Sequence, residues 1–333
     1  MRWLIVLVAL ALLAGCAGPS VTSGQKAPQD ELVWPPPPQP ARIKYNHDFS
    51  SPKDLGIRTP LLSRFWGWIS GKQSAERMVR PYSIAANQEL IAVADPGSKA
   101  LHLYNKKKGT YKNIRRAGDS VLVSPVGVAI SEDYLFLSDS ETEKVFVLNH
   151  NGDYISTITD MKRPTGLAYD FLNHRLYVSD TLNHQVVVYN DKGDRLFTIG
   201  ERTKQKGGFN FPSHLFIANN RLYVNDTMNF RIQIFGLDGK YITAFGKHGD
   251  ASGHFSQPKG VGVDSRGHIY VVDAIFHRVQ VFDEKGQYLI AFGSQGKGAA
   301  EFWLPTGLFI VQDRIYVADS YNRRIQVFEY VGG

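Results

Sequence analysis

The feature that most restricts the fold of this 333-residue chain is a sequence unit that occurs six times. Six segments align without gaps over ten residues, and each begins with an aspartate: Asp95, Asp139, Asp180, Asp226, Asp273 and Asp319. The gaps between successive aspartates are 44, 41, 46, 47 and 46 residues. A repeat of this length indicates an architecture of similar supersecondary units, each buried against its neighbours.

Each unit contains the pattern of four short strands. A proline opens an alternating stretch such as "PKGVGV" at Pro258–Val263, and a β-prone run such as "LYVS" precedes each aspartate. A third run follows, as in "RIQIF", and copies three to five end in a fourth, as in "KYITAFG". No helical segment separates these runs, which argues against a parallel α/β fold. The period and the strand count predict an all-β fold, a six-bladed β-propeller of four-stranded blades.

The motif within the unit supports a more specific comparison. The order P-x-G, then Y-V-x-D, then N-x-R-[IV]-Q-[VI]-F is clearest in "NFRIQIF", Asn229–Phe235, and "NRRIQVF", Asn322–Phe328. It resembles NHL repeats, which build six-bladed propellers, over about residues 79–331. Ser98 and Thr142 replace the asparagine in the first two copies. Residues shared by every blade are expected to be structural, so function should show where one blade departs from the repeat.

The sixth copy ends at Gly333 after only three strands. A closed ring of blades leaves no free sheet edge, and one blade is commonly built from both termini to close it. In Arg42–Phe49, apolar residues alternate with polar ones as in a half-buried strand. We therefore predict that Arg42–Phe49 is the fourth strand of blade 6. The alternative is a disordered continuation of the preceding segment.

The N-terminus has the organisation of a secretory signal. Arg2 precedes an apolar stretch, Trp3–Leu13, that is too short to span a bilayer, so residues 1–15 are predicted to be a signal peptide. Leu13 to Cys16 reads L-A-G-C and resembles a bacterial lipobox, which implies lipidation of Cys16 and a membrane anchor. Ala17 then implies the outer membrane. The alternative is an ordinary signal peptide with a chance cysteine at its end.

The segment that follows the cysteine is rich in Pro, Ser, Gly and Gln. Residues 16–41 are predicted to be the lipidated cysteine and a tether, with polyproline II favoured at Pro35–Pro38. Residues 42–333 are predicted to be the propeller. Cys16 is the only cysteine, so an intramolecular disulfide and a CxxC metal or redox site are both excluded.

One insert, residues 59–71, does not fit the repeat. Thr59 can cap a helix, Pro60 suits its first turn, and Gly71 can end it. The apolar residues follow helical spacing: Leu61, Leu62, Phe65, Trp66 and Ile69. A short helix is predicted, which either packs over one end of the propeller or lies on the membrane surface.

The central channel contains the clearest departure from the repeat. The third position of P-x-G is Gly or Ser in five copies and His214 in the fourth. Amidating lyases with this fold bind zinc through several channel histidines. A zinc site needs three or four protein ligands, and in this chain only one of the six copies has a histidine at this position. His214, with Asn225, is therefore a candidate ligand-binding pair, or part of a divalent-metal site. The alternative is a histidine with a local hydrogen-bond partner. No catalytic motif occurs, and no cofactor is predicted.

The loops after the repeated aspartates are unusually apolar, and this is the second departure. An aromatic-rich face with arginines has the composition of a protein-binding surface. The alternative is that these side chains cap the blade cores. The candidate partner-binding residues are Leu182, Met228, Phe230, Ile275, Phe276, Tyr321, Arg323 and Arg324. A basic stretch, Asn105–Arg116, is predicted to be a loop between the first two blades.

Together these features predict a monomeric lipoprotein of the bacterial cell envelope whose propeller binds a protein or another ligand without catalysis. The expected partners are the membrane, through Cys16, and an envelope protein; nucleic acid is not expected. The rival is a channel-centred, metal-dependent lyase or lactonase that uses His214. The sequence does not identify the partner or the membrane leaflet.

Overall fold

The computed structural model describes residues 31–57 and 76–332. The predicted signal peptide, Cys16 and the predicted helix at residues 59–71 lie outside the described residues. All the described residues except Glu31 belong to one structural unit, Leu32–Gly333. Within the described part of the chain, no helix is long and apolar enough to cross a membrane.

The predicted propeller is confirmed: six sheets form a ring, and the chain is all-β with almost no helix. We call the four strands of a blade inner, second, third and outer, in their order within the sheet. Neighbouring inner strands contact one another around the whole ring, including those of blades 6 and 1. Blades 1 to 5 comprise, in turn, Ser83–Ala86, Leu90–Asp95, Ala100–Asn105 and Thr110–Ile114; Pro125–Ile130, Tyr134–Asp139, Lys144–Asn149 and Tyr154–Ile158; Pro164–Asp170, Arg175–Asp180, Gln185–Asn190 and Arg195–Ile199; Pro212–Ala218, Arg221–Asp226, Arg231–Gly236 and Tyr241–Phe245; and Pro258–Val263, Ile269–Asp273, Arg278–Phe282 and Tyr288–Phe292.

Blade 6 is built from both ends of the chain. Its inner, second and third strands are Leu308–Val311, Arg314–Asp319 and Arg324–Tyr330, and its outer strand is Ile43–Phe49. This outer strand pairs antiparallel with the third, from Ile43 opposite Tyr330 to Phe49 opposite Ile325. The predicted closure is confirmed, with the strand beginning one residue later than expected. Ile43 and Phe49 are both buried, so the strand also completes the core.

A fifth strand, Val33–Trp34, lies outside Ile43–Phe49 and was not expected from the sequence. The Arg42 amide donates a hydrogen bond to the Trp34 carbonyl at 2.7 Å, and the residues between them form the loop of a hairpin. The Trp34 ring packs 5.8 Å from Phe292 and 6.1 Å from Phe328. The predicted polyproline II spacer at Pro35–Pro38 is therefore wrong: this stretch is a loop held against the propeller. We call residues 32–42 the N-terminal hairpin.

The remaining regular structure is short. The predicted basic loop Asn105–Arg116 instead contains the outer strand of blade 1, Thr110–Ile114. Two-residue strands pair in two connections between blades: Arg116–Ala117 with Ser120–Val121, and Ser294–Gln295 with Glu301–Phe302. The 3-10 turns Thr181–Asn183, Thr227–Asn229 and Ser320–Asn322 follow second strands, and Pro52–Leu55 follows the outer strand of blade 6.

The repeated aspartates tie each blade together. All six are 0% exposed, and each accepts at least one hydrogen bond from a backbone amide in the residues that precede the inner strand. Asp139, for example, accepts from the amides of Val123 at 2.7 Å and Ser124 at 3.0 Å. Because a buried carboxylate is costly without such donors, this residue is required by the blade itself.

The other residues of the repeated motif converge on the same carboxylate. In blade 4, Asn229, Arg231 and Gln233 donate to Oδ2 of Asp226 at 2.8, 2.8 and 3.1 Å. In blade 6, the equivalent residues of the same motif donate in the same way to Asp319. The motif therefore has a structural role in these two blades.

Antiparallel order sorts the loops onto two faces. The loops between second and third strands share one face with the connections between blades, and we call this the aspartate face. The loops between inner and second strands and between third and outer strands share the other, which we call the hairpin face. The candidate partner-binding residues lie on the aspartate face.

Candidate functional site

Aromatic rings cross the central channel at two levels. Near the aspartate face, the rings of Tyr82 and His214 stack with their centroids 5.4 Å apart and an interplanar angle of 24°. Tyr82 precedes the inner strand of blade 1 and His214 lies on that of blade 4, which are opposite each other in a six-bladed ring. Further along, Phe216 and Phe309 meet edge to face at 5.7 Å. The candidate histidine is therefore itself part of the ring stack that crosses the channel.

His214 is 8% exposed and has one hydrogen-bond contact, from Nδ1 to the hydroxyl of Ser213 at 3.1 Å. Its Nε2 is buried and has no hydrogen-bond partner among the described residues. Burial, followed by the positive charge of Lys259, lowers the pKa of His214 to about 3. The imidazole is consequently neutral at pH 7, and its buried Nε2 keeps an unused hydrogen-bonding capacity among the described residues.

Asn225 lies beside His214 and connects blade 4 to blade 5. Its Nδ2 donates to the carbonyls of Pro258 and Lys259 at 2.8 and 3.0 Å, and its Oδ1 is buried without a partner among the described residues. Nδ2 also lies 3.1 Å from Oγ of Ser213, so this hydroxyl contacts both candidate residues.

The two candidate ligand residues of the channel are thus linked through the hydroxyl of Ser213, and their role in ligand binding stays a prediction. Within the described ranges, no three His, Cys, Asp or Glu side chains form a group that could hold a metal. The pair provides one imidazole nitrogen and one amide oxygen, fewer donors than a zinc site requires.

The candidate partner-binding residues differ in their exposure. Leu182, Met228, Ile275 and Tyr321 are 44%, 51%, 49% and 46% exposed, on the loops of blades 3, 4, 5 and 6. Phe230 and Phe276 are half-buried. Phe209 and Phe255, from connections on the same face, are 0% exposed and belong to the core. The apolar surface is thus distributed over four blades.

Cations accompany the exposed rings on this face. Trp303 and Tyr321 lie 6.0 Å apart, and the guanidinium of Arg80 lies 5.2 Å from the Tyr321 ring. Nζ of Lys297 lies 5.2 Å from the Trp303 ring, and Arg323 is exposed beside them. We call these five residues the aromatic patch. Cations over aromatic faces orient the rings while leaving their outer edges in solvent.

Arg324 is placed differently from its neighbour Arg323. Its side chain is 12% exposed, and its guanidinium donates to Asp319 and Asp48 at 2.9 and 2.6 Å. It also donates to the carbonyls of Gly298 and Glu301. Arg324 therefore holds the two ends of the chain together, whereas Arg323 faces solvent.

Two further cavities lie on the hairpin face or beside it, and neither was predicted from the sequence. A 350 Å³ cavity at the channel mouth is lined mainly by apolar side chains, among them Leu167, Leu215 and Phe309. A 600 Å³ cleft separates the N-terminal hairpin from blade 5 and includes His268. One sequence feature indicated the second cavity: Asp264 and His268 flank the turn after the inner strand of blade 5.

The ring of six blades defines the class of this protein as a six-bladed β-propeller. Within that class, a family model described as a 6-bladed beta-propeller matches residues 202–279 and 263–333. A search of curated proteins finds no match.

Solved structures share this fold at low sequence identity. An auxiliary nutrient binding protein from Bacteroides thetaiotaomicron is 15% identical with a TM-score of 0.60, covering 77% of this chain and 70% of its own. A streptogramin B lyase is 12% identical with a TM-score of 0.58, covering 76% and 94%. Virginiamycin B lyase from Staphylococcus aureus is 15% identical with a TM-score of 0.57, covering 76% and 96%. At these identities the likeness concerns the fold alone.

Proposed function

We propose that this protein is a lipid-anchored component of the bacterial envelope whose NHL-type propeller binds a protein partner without catalysis. The observation that carries the proposal is the aromatic patch. Trp303 and Tyr321 remain 39% and 46% exposed although the ring has a large core in which to bury apolar groups. Trp, Tyr and Arg are the residues that most often dominate binding energy at protein interfaces.

The surroundings of the patch extend the surface available to a partner. Leu182, Met228 and Ile275 continue the apolar character over the loops of the preceding three blades. Arg80, Lys297 and Arg323 give the patch a positive character, which favours a partner with acidic residues around an apolar centre.

The predicted lipid anchor complements this surface. Lipidation of Cys16 would attach the chain to the membrane, and the residues up to the N-terminal hairpin would connect that anchor to blade 6. A single attachment point leaves the aspartate face accessible to another envelope protein. The propeller itself supplies rigid loops, on which exposed side chains lose little conformational entropy when they bind.

The channel-centred enzyme remains the rival function. Two of the similar structures are lyases, which supports it at the level of fold alone. In this chain His214 stacks on Tyr82, and no potential metal cluster exists among the described residues. The aromatic patch is the stronger observation, so we put binding forward as the function.

The decisive experiment compares two double variants of the lipidated protein. Trp303→Ala with Tyr321→Ala removes the rings of the patch, and Phe171→Ala with Leu172→Ala removes exposed apolar side chains from the hairpin face as a control. In-cell crosslinking followed by capture should lose the partner with the first variant and retain it with the second, at unchanged melting temperature. Equal capture by both variants would count against the patch.

The anchor is tested separately. Cys16→Ser should abolish labelling with a radioactive fatty acid and move the protein from the membrane fraction to the soluble fraction. Labelling that persists in this variant would remove the basis for a lipid anchor at Cys16.

A further inference from the structure

We propose that the cleft between the N-terminal hairpin and blade 5 is a binding site for a small ligand with an apolar ring or chain and a carboxylate. The cleft has a volume of 600 Å³, within the usual range for small-molecule sites. It is separate from the aromatic patch and from the channel residues His214 and Asn225.

The cleft arises from the way in which the ring closes. Blade 6 takes its outer strand from the N-terminus, and the hairpin that precedes this strand lies beside the outer strand of blade 5. Trp34, Pro35 and Arg42 line one wall, and Leu289 and Ile290 line the other. Because only blade 6 carries a fifth strand, the other blade junctions in the described structure lack this wall.

A histidine with a fixed orientation lies in the cleft. Nδ1 of His268 is 2.8 Å from Oδ2 of Asp264, whose side chain is 0% exposed. The same oxygen accepts a hydrogen bond from the hydroxyl of Tyr270 at 3.0 Å. The amides of Arg266 and His268 donate to the other carboxylate oxygen, both at 2.9 Å. Asp264 thus has a complete set of donors and holds the imidazole in place.

The second ring nitrogen of His268 remains free. Nε2 has no hydrogen-bond partner within the described part of the chain, and the His268 side chain is 27% exposed. The ring packs 5.3 Å from that of Tyr330, which also lines the cleft. A histidine whose Nδ1 is held by a buried carboxylate presents Nε2 in a defined direction, as binding and catalytic histidines do.

The polar groups around the cleft favour an acidic ligand. Arg42 is exposed and lines the cleft beside Trp34. His268 also lines a second cavity of 440 Å³, whose other lining residues are three cations and two acids: Arg221, Arg266, Lys285, Asp283 and Glu284. With Arg42, basic groups outnumber acidic ones by four to two across the two cavities. A carboxylate in the cleft would accept charge-assisted hydrogen bonds from Arg42, and one from Nε2 of His268 in the imidazolium form, in which both ring nitrogens carry protons.

The remaining lining accounts for the apolar part of the ligand. Trp34 provides an aromatic face, and Leu289, Ile290 and Val281 provide aliphatic surface. Leu289 is 49% exposed, much like Ile155, Leu196 and Ile242 at the same outer-strand position of other blades, but only Leu289 faces the cleft formed with the hairpin, where a ligand would cover it.

The test uses the propeller with its N-terminal hairpin and matched probes in saturation-transfer NMR and calorimetry. The probes are indole-3-acetate, 4-phenylbutyrate and octanoate, each with its neutral amide, and N-acetylglucosamine as a sugar without an apolar ring. We expect saturable binding of at least one acid and at least tenfold weaker binding of its amide. The absence of saturable binding by every acid, equal binding of acid and amide, or preference for the sugar would each overturn the proposal.

Three variants locate the site. Arg42→Gln and His268→Gln should each weaken binding of the acid about tenfold without weakening that of the amide. Leu289→Glu should abolish binding of the acid by placing a like charge at the cleft. Arg195→Gln, on the outer strand of blade 3, is the matched control and should bind normally. Because Arg42 and Leu289 are exposed, these variants keep the fold, and undiminished binding in both would overturn the assignment to this cleft.

Discussion

Nη1 of Arg324 donates a hydrogen bond to Oδ2 of Asp48 at 2.6 Å, joining residues that are 276 positions apart in the chain. The same guanidinium binds Oδ2 of Asp319 through Nε at 2.9 Å. In blade 4, the equivalent Arg231 makes the Asp226 contact and donates to the carbonyls of Gln205 and Gly208, but it has no acidic partner on the outer strand of its own blade. The final repeat thus uses one residue both for its own blade and for closure of the ring.

This relationship predicts unequal costs for its two ends. Arg324→Met should lower the free energy of unfolding by about 3 to 5 kcal/mol, because Asp319 would remain buried without its cation. Asp48→Ala should cost less than about 1 kcal/mol, because the Asp48 side chain is 38% exposed. Chemical denaturation measures both, with Arg231→Met as the matched control. Equal losses for Arg324→Met and Asp48→Ala would contradict the assignment.

Removing the outer strand of blade 6 should destabilise the whole ring. A chain that begins at Ser51 loses the buried side chains of Ile43 and Phe49 and the Trp34 packing, which together contribute about 5 kcal/mol or more. It also exposes Arg324–Tyr330 as an edge strand, so we expect self-association as well as a lower melting temperature. The control begins at Glu31 and should melt like the mature protein. If the chain that begins at Ser51 melted at the same temperature as the control, the strand would not close the ring.

The glycines of the P-x-G motif should resist substitution for a packing reason. A Cβ at Gly166 would lie 2.0 Å from the carbonyl oxygen of Ser213 and 2.8 Å from Cα of His214, on the neighbouring inner strand. These are backbone atoms, so Gly166→Ala should cost about 3 kcal/mol. Gly109→Ala, where φ is +61° and no atom lies within 4 Å, should cost only about 1 kcal/mol. Thermal unfolding of the two variants compares the steric clash at Gly166 with the backbone strain at Gly109. Similar losses of stability in both variants would argue against close packing of the inner strands.

His214 should make stability depend on pH. Its pKa falls from 6.5 to about 3 on folding, so the folded state binds fewer protons than the unfolded state between these values. The contribution of neutral His214 to the free energy of unfolding is fully present above pH 6.5. It is lost progressively as the pH falls towards 3, by up to about 1.4 kcal/mol per pH unit. His214→Phe keeps a ring against Tyr82 and cannot titrate, so its stability should fall less steeply between pH 6.5 and 4. If the free energy of unfolding fell equally with pH in the wild type and in His214→Phe, folding would not lower the pKa of His214.

The blades could be predicted because their signals are local. Strand alternation, turn residues and the aspartate recur within about 45 residues, and each copy repeats the evidence of the others. The closing strand Ile43–Phe49 was also predictable, since an incomplete sixth copy and an alternating stretch before the first copy complement each other.

The fifth strand was not predictable from sequence. Val33–Trp34 has only two residues, too few for any alternation, and it lies in a proline-rich segment that resembles a spacer. It forms because Trp34 finds the rings of Phe292 and Phe328, which come from the far end of the chain. Tertiary contact, rather than local preference, therefore decided the conformation of Pro35–Pro38.

The sequence by itself determined the architecture: the number of blades, the structural role of the repeated aspartate, and the source of the last strand. These follow from periodicity and from the requirement that a ring leaves no open sheet edge. Only the tertiary structure decided which side chains meet across blades, such as His214 with Tyr82 and Arg42 with His268 in one cleft. Such pairs depend on how the ring closes in space, and the spacing of residues within a single repeat does not encode the distance between side chains of different blades.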